Sequence, residues 1–266
     1  MTMMTRRTMM VAAGAALALP TVLRQARAAI GGVDDARFAR LVAAYPTLLD
    51  RIEAGALVWK DGARMPLDDG RTGKSFEEML RSASLADQLR QVYRAGKPSA
   101  NPGTNDSPGR IRHAPFFAKM YGDCKKGEVT KRMRPVVWMP KTKPQTLQVT
   151  TVNNVAGRLE KVIAGLEGLP DRLKPFLVPS GGTYNCRVVA DTGMPSMHAS
   201  GAAIDIATAQ TDYWVWSRGK GAGAIPFKNR IPWEIAEIFE AEQFIWGGKW
   251  YHYDTMHFEY RPEMFG

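Results

Sequence analysis

The chain has 266 residues, 45% of them hydrophobic, which is ample for one sizeable core and excludes a disordered or fibrous protein. Its formal net charge of +10 suits an anionic partner such as a cell-wall polymer, a membrane surface or nucleic acid, without choosing among them.

The first predicted element is "TRRTMMVAAGAALALP", where Arg6 and Arg7 precede a short Ala/Gly-rich apolar run; "ARAAI" then sets Ala26 and Ala28 in an A-x-A arrangement. Over residues 1–28 this predicts a twin-arginine signal peptide, and therefore an exported protein, periplasmic or secreted. An ordinary amphipathic first helix is the other reading. The apolar run is too short to span a bilayer as a stable helix. No later segment is long and apolar enough either, so no stable membrane span is expected after signal removal.

"DDARFARLVAAYPTLLDRIEAG" has helical periodicity broken near Pro46. "ALVWKDGARMPL" predicts a hairpin around Asp61-Gly62. "SFEEML" and "LADQLRQVYRAG" predict short amphipathic helices, the second ending at Gly96. "KPSANPGTNDSPGR" is dense in Pro, Gly, Asn and Ser and predicts a long surface loop. The expected organisation is thus an N-terminal accessory region, residues 29–130 and mainly helical, followed by a domain over residues 131–266.

In that second part "PVVWMP", "LQVTTV", "FLVPSGGTYNCR", "GAAIDIAT" and "YWVWS" read as strands, while "VAGRLEKVIAGLEGL" and "IPWEIAEIFEAEQF" read as helices, the latter with Pro232 in its first turn. Strands and helices mix without βαβ alternation. The fold class expected is α+β, a small, largely antiparallel sheet flanked by helices.

One stretch imitates a nucleotide site. "DDGRTGKS" ends like a phosphate-binding loop but has Asp68 where that loop needs its first glycine. An acidic side chain is badly placed beside phosphates, and an exported protein would meet little nucleotide, so no nucleotide is expected as partner; no nucleic acid is expected either. Cys124 and Cys186, the only cysteines, allow a single pairing. Bridged in an oxidising compartment, they would contribute on the order of 4 kcal/mol; two separate buried thiols are the alternative. Cys186 as a zinc ligand is disfavoured, because thiolate sites use more cysteines than this chain has.

The residues that carry chemistry are few. A catalytic zinc takes three protein ligands from His and carboxylate and leaves a position open. In "MPSMHASGAAIDIA", His198 and Asp205 stand seven residues apart with small residues between them. "DTMHFEY" adds His257 as third ligand and Asp254 as a candidate base. Each alone is more often a structural residue; together they make one metal site.

"SMHASGAAIDI" fits Ser-x-His-x-x-Gly-x-Ala-x-Asp, and "DTMHFEY" fits Asp-x-x-His-Phe-Glu. In that order they resemble the zinc D-Ala-D-Ala carboxypeptidases and L-alanyl-D-glutamate endopeptidases, the VanX/VanY-like peptidases. "CRVVADTGMPSMHASGAAIDI" is also similar to the related extensin-like C-terminal domains. The resemblance, over roughly residues 145–266, implies a hedgehog/DD-peptidase-like fold and one Zn2+ per chain, held by His198, Asp205 and His257. It implies Asp254 as general base and Arg187 as the cation that meets the developing oxyanion. Ser196 is expected to orient a ligand or touch substrate, and His252 and Trp246 to line the cleft. The substrate class implied is the peptidoglycan stem peptide. Two departures stand out: the connection from Arg187 to His198 is short, and the base is Asp rather than the Glu of strict dipeptidases, as in the endopeptidase-like branch. A different class fits the same zinc ligands, namely a non-catalytic, zinc-containing wall- or peptide-binding module such as the hedgehog signalling domains exemplify.

Overall fold

A computed structural model describes residues 36–190, 192–217 and 225–266; the expected signal peptide lies outside them. The first helix, α1 (Ala36–Ala44), buries Phe38 and Leu41 and stops before Pro46, which cannot continue a helix. The continuation read as helical is instead strand β1 (Leu49–Glu53). Ala54 and Gly55 both take positive φ (47° and 73°), the conformation a two-residue hairpin turn demands, and they return the chain into β2 (Ala56–Trp59). The Asp61-Gly62 hairpin forms as expected and leads into β3 (Arg64–Pro66). Among the described residues the N-terminal part thus holds a three-stranded antiparallel sheet, more strand than its helical periodicity implied.

Helices α2 (Phe76–Arg81) and α3 (Leu85–Gln88) each start in a capping box, Ser75 with Glu78 and Ser84 with Asp87. α3 ends at Gln88, well short of Gly96. Beyond it Tyr93 pairs its backbone N–H with Met264 O at 2.8 Å, and this extended pairing with the C-terminus overrides local helix propensity. Helix α4 (Ala114–Tyr121) buries Phe116, Phe117, Met120 and Tyr121.

Strands β4 (Met133–Trp138) and β5 (Gln145–Thr150) form a two-stranded antiparallel pair. Against them lies α5 (Val155–Glu167), which buries Val155, Leu159, Val162, Ile163 and Leu166 at helical spacing. "FLVPSGGTYNCR" is not a strand: Pro179 and the Gly181-Gly182 pair disfavour a ladder, and its one bridge joins Gly182 to Asp205. "YWVWS" is also not a strand; after Tyr213 bridges Asp254, the chain turns into α6 (Trp214–Ser217). Its apolar run lacks the alternation of a half-buried strand, with Val215 and Trp216 both exposed.

The last sheet positions the site. Its order is β6 (Ala203–Asp205), β8 (His257–Tyr260), β7 (Phe244–Trp246), all antiparallel, with β8 central. Alternation along β8 sends Phe258 and Tyr260 to one face and His257 and Glu259 to the other. Phe258 stacks at 3.8 Å on Phe239 of helix α7 (Trp233–Ala241), so the apolar face meets the core and the polar face builds chemistry. The fold class is α+β with small antiparallel sheets and packed helices. One core runs from Phe38 and Leu41 through Trp138 and Leu159 to Phe258 and Met264, and the described residues belong to one compact unit. No helix among them is long and apolar enough to cross a membrane.

Candidate metal centre

His198 sits in a short 3-10 turn, Met197–Ser200, whose start is capped by the Ser196 hydroxyl accepting from His198 N at 3.3 Å. Gly201 ends the turn at φ 64°, a conformation that favours glycine, and a Cβ there would crowd Met133 Cε at 2.3 Å and Thr150 N at 3.3 Å. The next residues enter β6 and bring Asp205 opposite His257 in the β6–β8 register. A turn, the strand that follows it and a third element distant in sequence thereby deliver three side chains to one point.

Their donor atoms converge. His198 Nε2 lies 3.2 Å from Asp205 Oδ1 and 3.1 Å from His257 Nδ1, and the latter is 3.1 Å from Asp205 Oδ1. These three residues form the cluster among the described residues with the reach to hold one metal ion. Atoms about 2.0–2.2 Å from a tetrahedral zinc stand about 3.3 Å from one another, so the triangle has the size of a zinc face. The remaining ring nitrogens are already engaged. His198 Nδ1 meets Thr183 O at 2.8 Å, and His257 Nε2 meets Glu259 Oε2 at 3.0 Å. With Nδ1 of one ring and Nε2 of the other donating to oxygen, the lone pairs of the opposite nitrogens face inward, as a metal requires. The residues fit zinc.

Electrostatics agree with that donor set. Burial opposes charge on Asp205, yet the two imidazoles hold its carboxyl well below the usual carboxylate range. Burial likewise disfavours the His257 cation, but bonds to Asp205 and Glu259 raise it to about 9. Two carboxylates thus surround this imidazole, a setting that favours any cation placed there.

Asp254 differs from Asp205. Its Oδ1 is buried with no hydrogen-bond partner among the described residues, and desolvation together with the nearby Asp205 charge pushes its carboxyl up to about 6. Buried polar atoms are rarely left unsatisfied without a reason. A partly basic carboxylate with an unused oxygen, three residues before a candidate metal ligand, is suited to receive a proton.

The other expected site residues fall into distinct places. Arg187 is exposed and follows Cys186, which forms a disulfide with Cys124; its carbonyl accepts from Ser196 N at 3.1 Å, placing it on the hairpin that feeds the His198 turn. Ser196 itself is buried and holds that turn through its hydroxyl. His252 is half-buried, stacked at 5.5 Å on Phe76 and edge-on to Trp214. Trp246, expected on the cleft wall, is a core residue: 2% exposed, parallel to Phe258, its Nε1 donating to Thr255 O. The tryptophan beside the candidate ligands is Trp250, whose ring lies 5.7 Å from that of His257.

Several contributors went unread in the sequence. Glu259, fully buried, accepts from His257 and from Arg112 and Arg261. Arg110 packs over Trp250, and its charge acts on Asp254. Both Arg110 and Arg112 belong to the end of the Pro/Gly-rich loop and its continuation. The only signal available was the terminal Glu of Asp-x-x-His-Phe-Glu. The phosphate-loop imitation is resolved too: Lys74 is buried between Asp69 and Asp87, at 2.5 and 2.6 Å.

Comparison with known proteins accords with the site. Residues 190–260 match the D-alanyl-D-alanine carboxypeptidase family. Searches of curated proteins and of solved structures returned no match. The matched segment contains His198, Asp205, Asp254 and His257, so over these residues the chain is similar to that peptidase family.

Proposed function

We propose that this chain is an exported zinc-dependent peptidase that hydrolyses an amide bond in peptidoglycan stem peptides, of the D-Ala-D-Ala carboxypeptidase or L-Ala-D-Glu endopeptidase type. The observation that carries the reading is the convergence of His198, Asp205 and His257 next to Asp254, whose buried Oδ1 has no other partner. Zinc, when bound, supplies a Lewis acid that polarises a carbonyl and acidifies water to near neutral pH. His198, Asp205 and His257 would hold it. Asp254 takes a proton at Oδ1 from the attacking water and returns it to the leaving amine. Arg187 meets the oxyanion as charge develops on the scissile carbonyl. Trp250 and the buried flank of the site exclude water, which strengthens each of these interactions.

Export is supported by the twin-arginine pattern in residues 1–28 and by the Cys124–Cys186 disulfide, a bond that persists in oxidising compartments. The basic net charge favours encounter with anionic wall material. A non-catalytic binding module has no use for the Asp254 arrangement, which burial makes costly.

Digestion of purified muropeptides, followed by mass spectrometry, tests the reading, with His198→Ala and Asp254→Ala as controls. Loss of a terminal D-Ala selects the carboxypeptidase and a cut between L-Ala and D-Glu the endopeptidase. Absence of any metal-dependent cleavage by zinc-loaded protein would leave the binding module.

A further inference from the structure

The stretch 107–112 lies far outside the family-matched segment, and its first four residues end the surface loop expected over residues 97–110. In the fold it is a strap laid against the metal centre. Ser107 is fully buried, and its hydroxyl accepts from His252 N at 3.4 Å. Pro108 O accepts from Trp250 Nε1 at 2.6 Å, and Gly109 O accepts from Arg261 Nη1 at 3.0 Å. At Gly109, φ is 102° and a Cβ would stand 2.3 Å from Ile245 Cδ1 and 3.4 Å from Glu259 Oε1, so the strap packs directly on side chains of β7 and β8. Ile111 is buried beside Phe76. Arg112, its side chain 15% exposed, then reaches Glu259 Oε2 with Nη2 at 2.6 Å.

That contact lands on the oxygen that receives His257 Nε2 at 3.0 Å. The other oxygen of Glu259 accepts from Arg261 Nη1 at 2.8 Å. Arg261 in turn donates to Glu263, which also accepts from Tyr45 at the end of α1. A buried carboxylate between two guanidinium groups stays ionised and fixed in orientation. Fixed so, it accepts the Nε2–H of His257 and leaves Nδ1 with its lone pair turned toward His198 and Asp205. Removing Arg112 would leave Glu259 on Arg261 alone and free the oxygen that orients the ring.

We propose that Arg112 is a positioning residue for His257, so that the segment preceding the peptidase motif completes the metal centre through Arg112 and Glu259. The proposal rests on the zinc-site reading above. Outer partners of ligating histidines are typically worth about 10–100-fold in metal affinity, and that is the loss expected for Arg112→Ala. Arg112→Lys keeps the charge and one donor and recovers part of it.

The test uses the full chain and zinc competition against a chromogenic chelator, together with the His257 Nε2–H proton resonance of zinc-loaded protein. Gln91→Ala serves as the structural control: Gln91 holds the loop through Asn105 O and Ser107 N without touching Arg112 or Glu259. Expected are weakened zinc binding and a faster-exchanging Nε2–H in Arg112→Ala, partial recovery of both in Arg112→Lys, and wild-type affinity in Gln91→Ala. Zinc affinity of Arg112→Ala within twofold of wild type overturns the proposal, as does an equal loss in Gln91→Ala. A wild type that binds no zinc overturns the zinc reading itself, and this proposal with it.

Discussion

Asp205 and His257 are direct cross-strand partners in the β6–β8 ladder, and their donor atoms lie 3.1 Å apart. Residues directly opposite in an antiparallel pair are brought close by the backbone itself, so two of the three candidate ligands are set by strand register rather than by loop conformation. A one-residue slip would send His257 to the opposite face. Asp205→Asn keeps the shape and removes the charge that makes the triangle attractive to a cation. It is expected to weaken zinc binding by at least about 100-fold, more than the loss of an outer partner, while the sheet still forms. Chelator competition and far-UV circular dichroism check the two halves of that statement.

In the proposed reaction Asp254 sets the pH dependence. Its carboxyl, raised to about 6 by burial and by Asp205, must be ionised to accept a proton, so the rate rises with pH through its titration. Bound zinc adds positive charge nearby and moves this acid limb to about 6 or below. Asp254→Asn is expected to lower kcat by about 10²–10⁴-fold with zinc content unchanged. Stability runs the other way. The raised value favours the metal-free fold fully below the ordinary 3.8, and this contribution is lost as pH rises through about 6. At pH 7 the metal-free Asn variant is therefore expected to melt higher than wild type, and calorimetry at pH 4 and pH 7 checks the sign.

The candidate ligands His198, Asp205 and His257 were legible only together: each alone is more often structural, and it was the joint occurrence of two short motifs, with their resemblance to a peptidase family, that pointed to one site. Asp254 was legible only as part of the second motif. What lay hidden depends on tertiary contact. Arg110 and Arg112 sit in a loop-like sequence whose burial is decided by Trp250 and Glu259, residues far along the chain. Trp246 looked like a cleft wall because an aromatic in a strand says nothing about which face it takes. The strand at Leu49–Glu53 was masked by helical periodicity, and the turn that makes it a strand, Ala54-Gly55, shows itself only through its positive φ angles.

Arg110 offers a separate handle on the base. Its guanidinium packs over Trp250 at 5.8 Å, and its charge favours the ionised form of Asp254 against burial. Arg110→Met keeps the apolar stem and removes the charge. The acid limb of kcat is expected to move to higher pH, and a pH–rate profile reads the shift directly. An unmoved limb would mean that Arg110 does not act on Asp254.

The Cys124–Cys186 bond closes a span of 62 residues, which in the chain-entropy account stabilises the fold by about 4 kcal/mol. It also tethers Arg187, the next residue. The Cys124→Ser/Cys186→Ser variant is expected to melt about 10 °C lower and to lose kcat in common with Arg187→Ala, for which about 10²–10³-fold is expected. If the tether acts through the arginine, the triple variant loses little beyond Arg187→Ala alone. Full additivity would separate the two.

Lys74 resembles a phosphate-binding lysine in sequence and cannot serve as one in the fold. Its side chain is 2% exposed and bonded to Asp69 and Asp87, so any phosphate would have to displace two carboxylates in a buried setting. Removing one member of such a group leaves the other charge uncompensated, which costs about 3–5 kcal/mol. Asp87 retains bonds from Ser84 N and Oγ, so Lys74→Met is expected at the lower end. Replacing both members, Lys74→Met with Asp87→Leu, removes the buried charge altogether and is expected to recover part of the loss, as chemical denaturation can measure. Titration calorimetry with a nucleoside triphosphate is expected to give no binding heat for wild type or variant, and a wild-type signal lost in Lys74→Met would reverse this assignment.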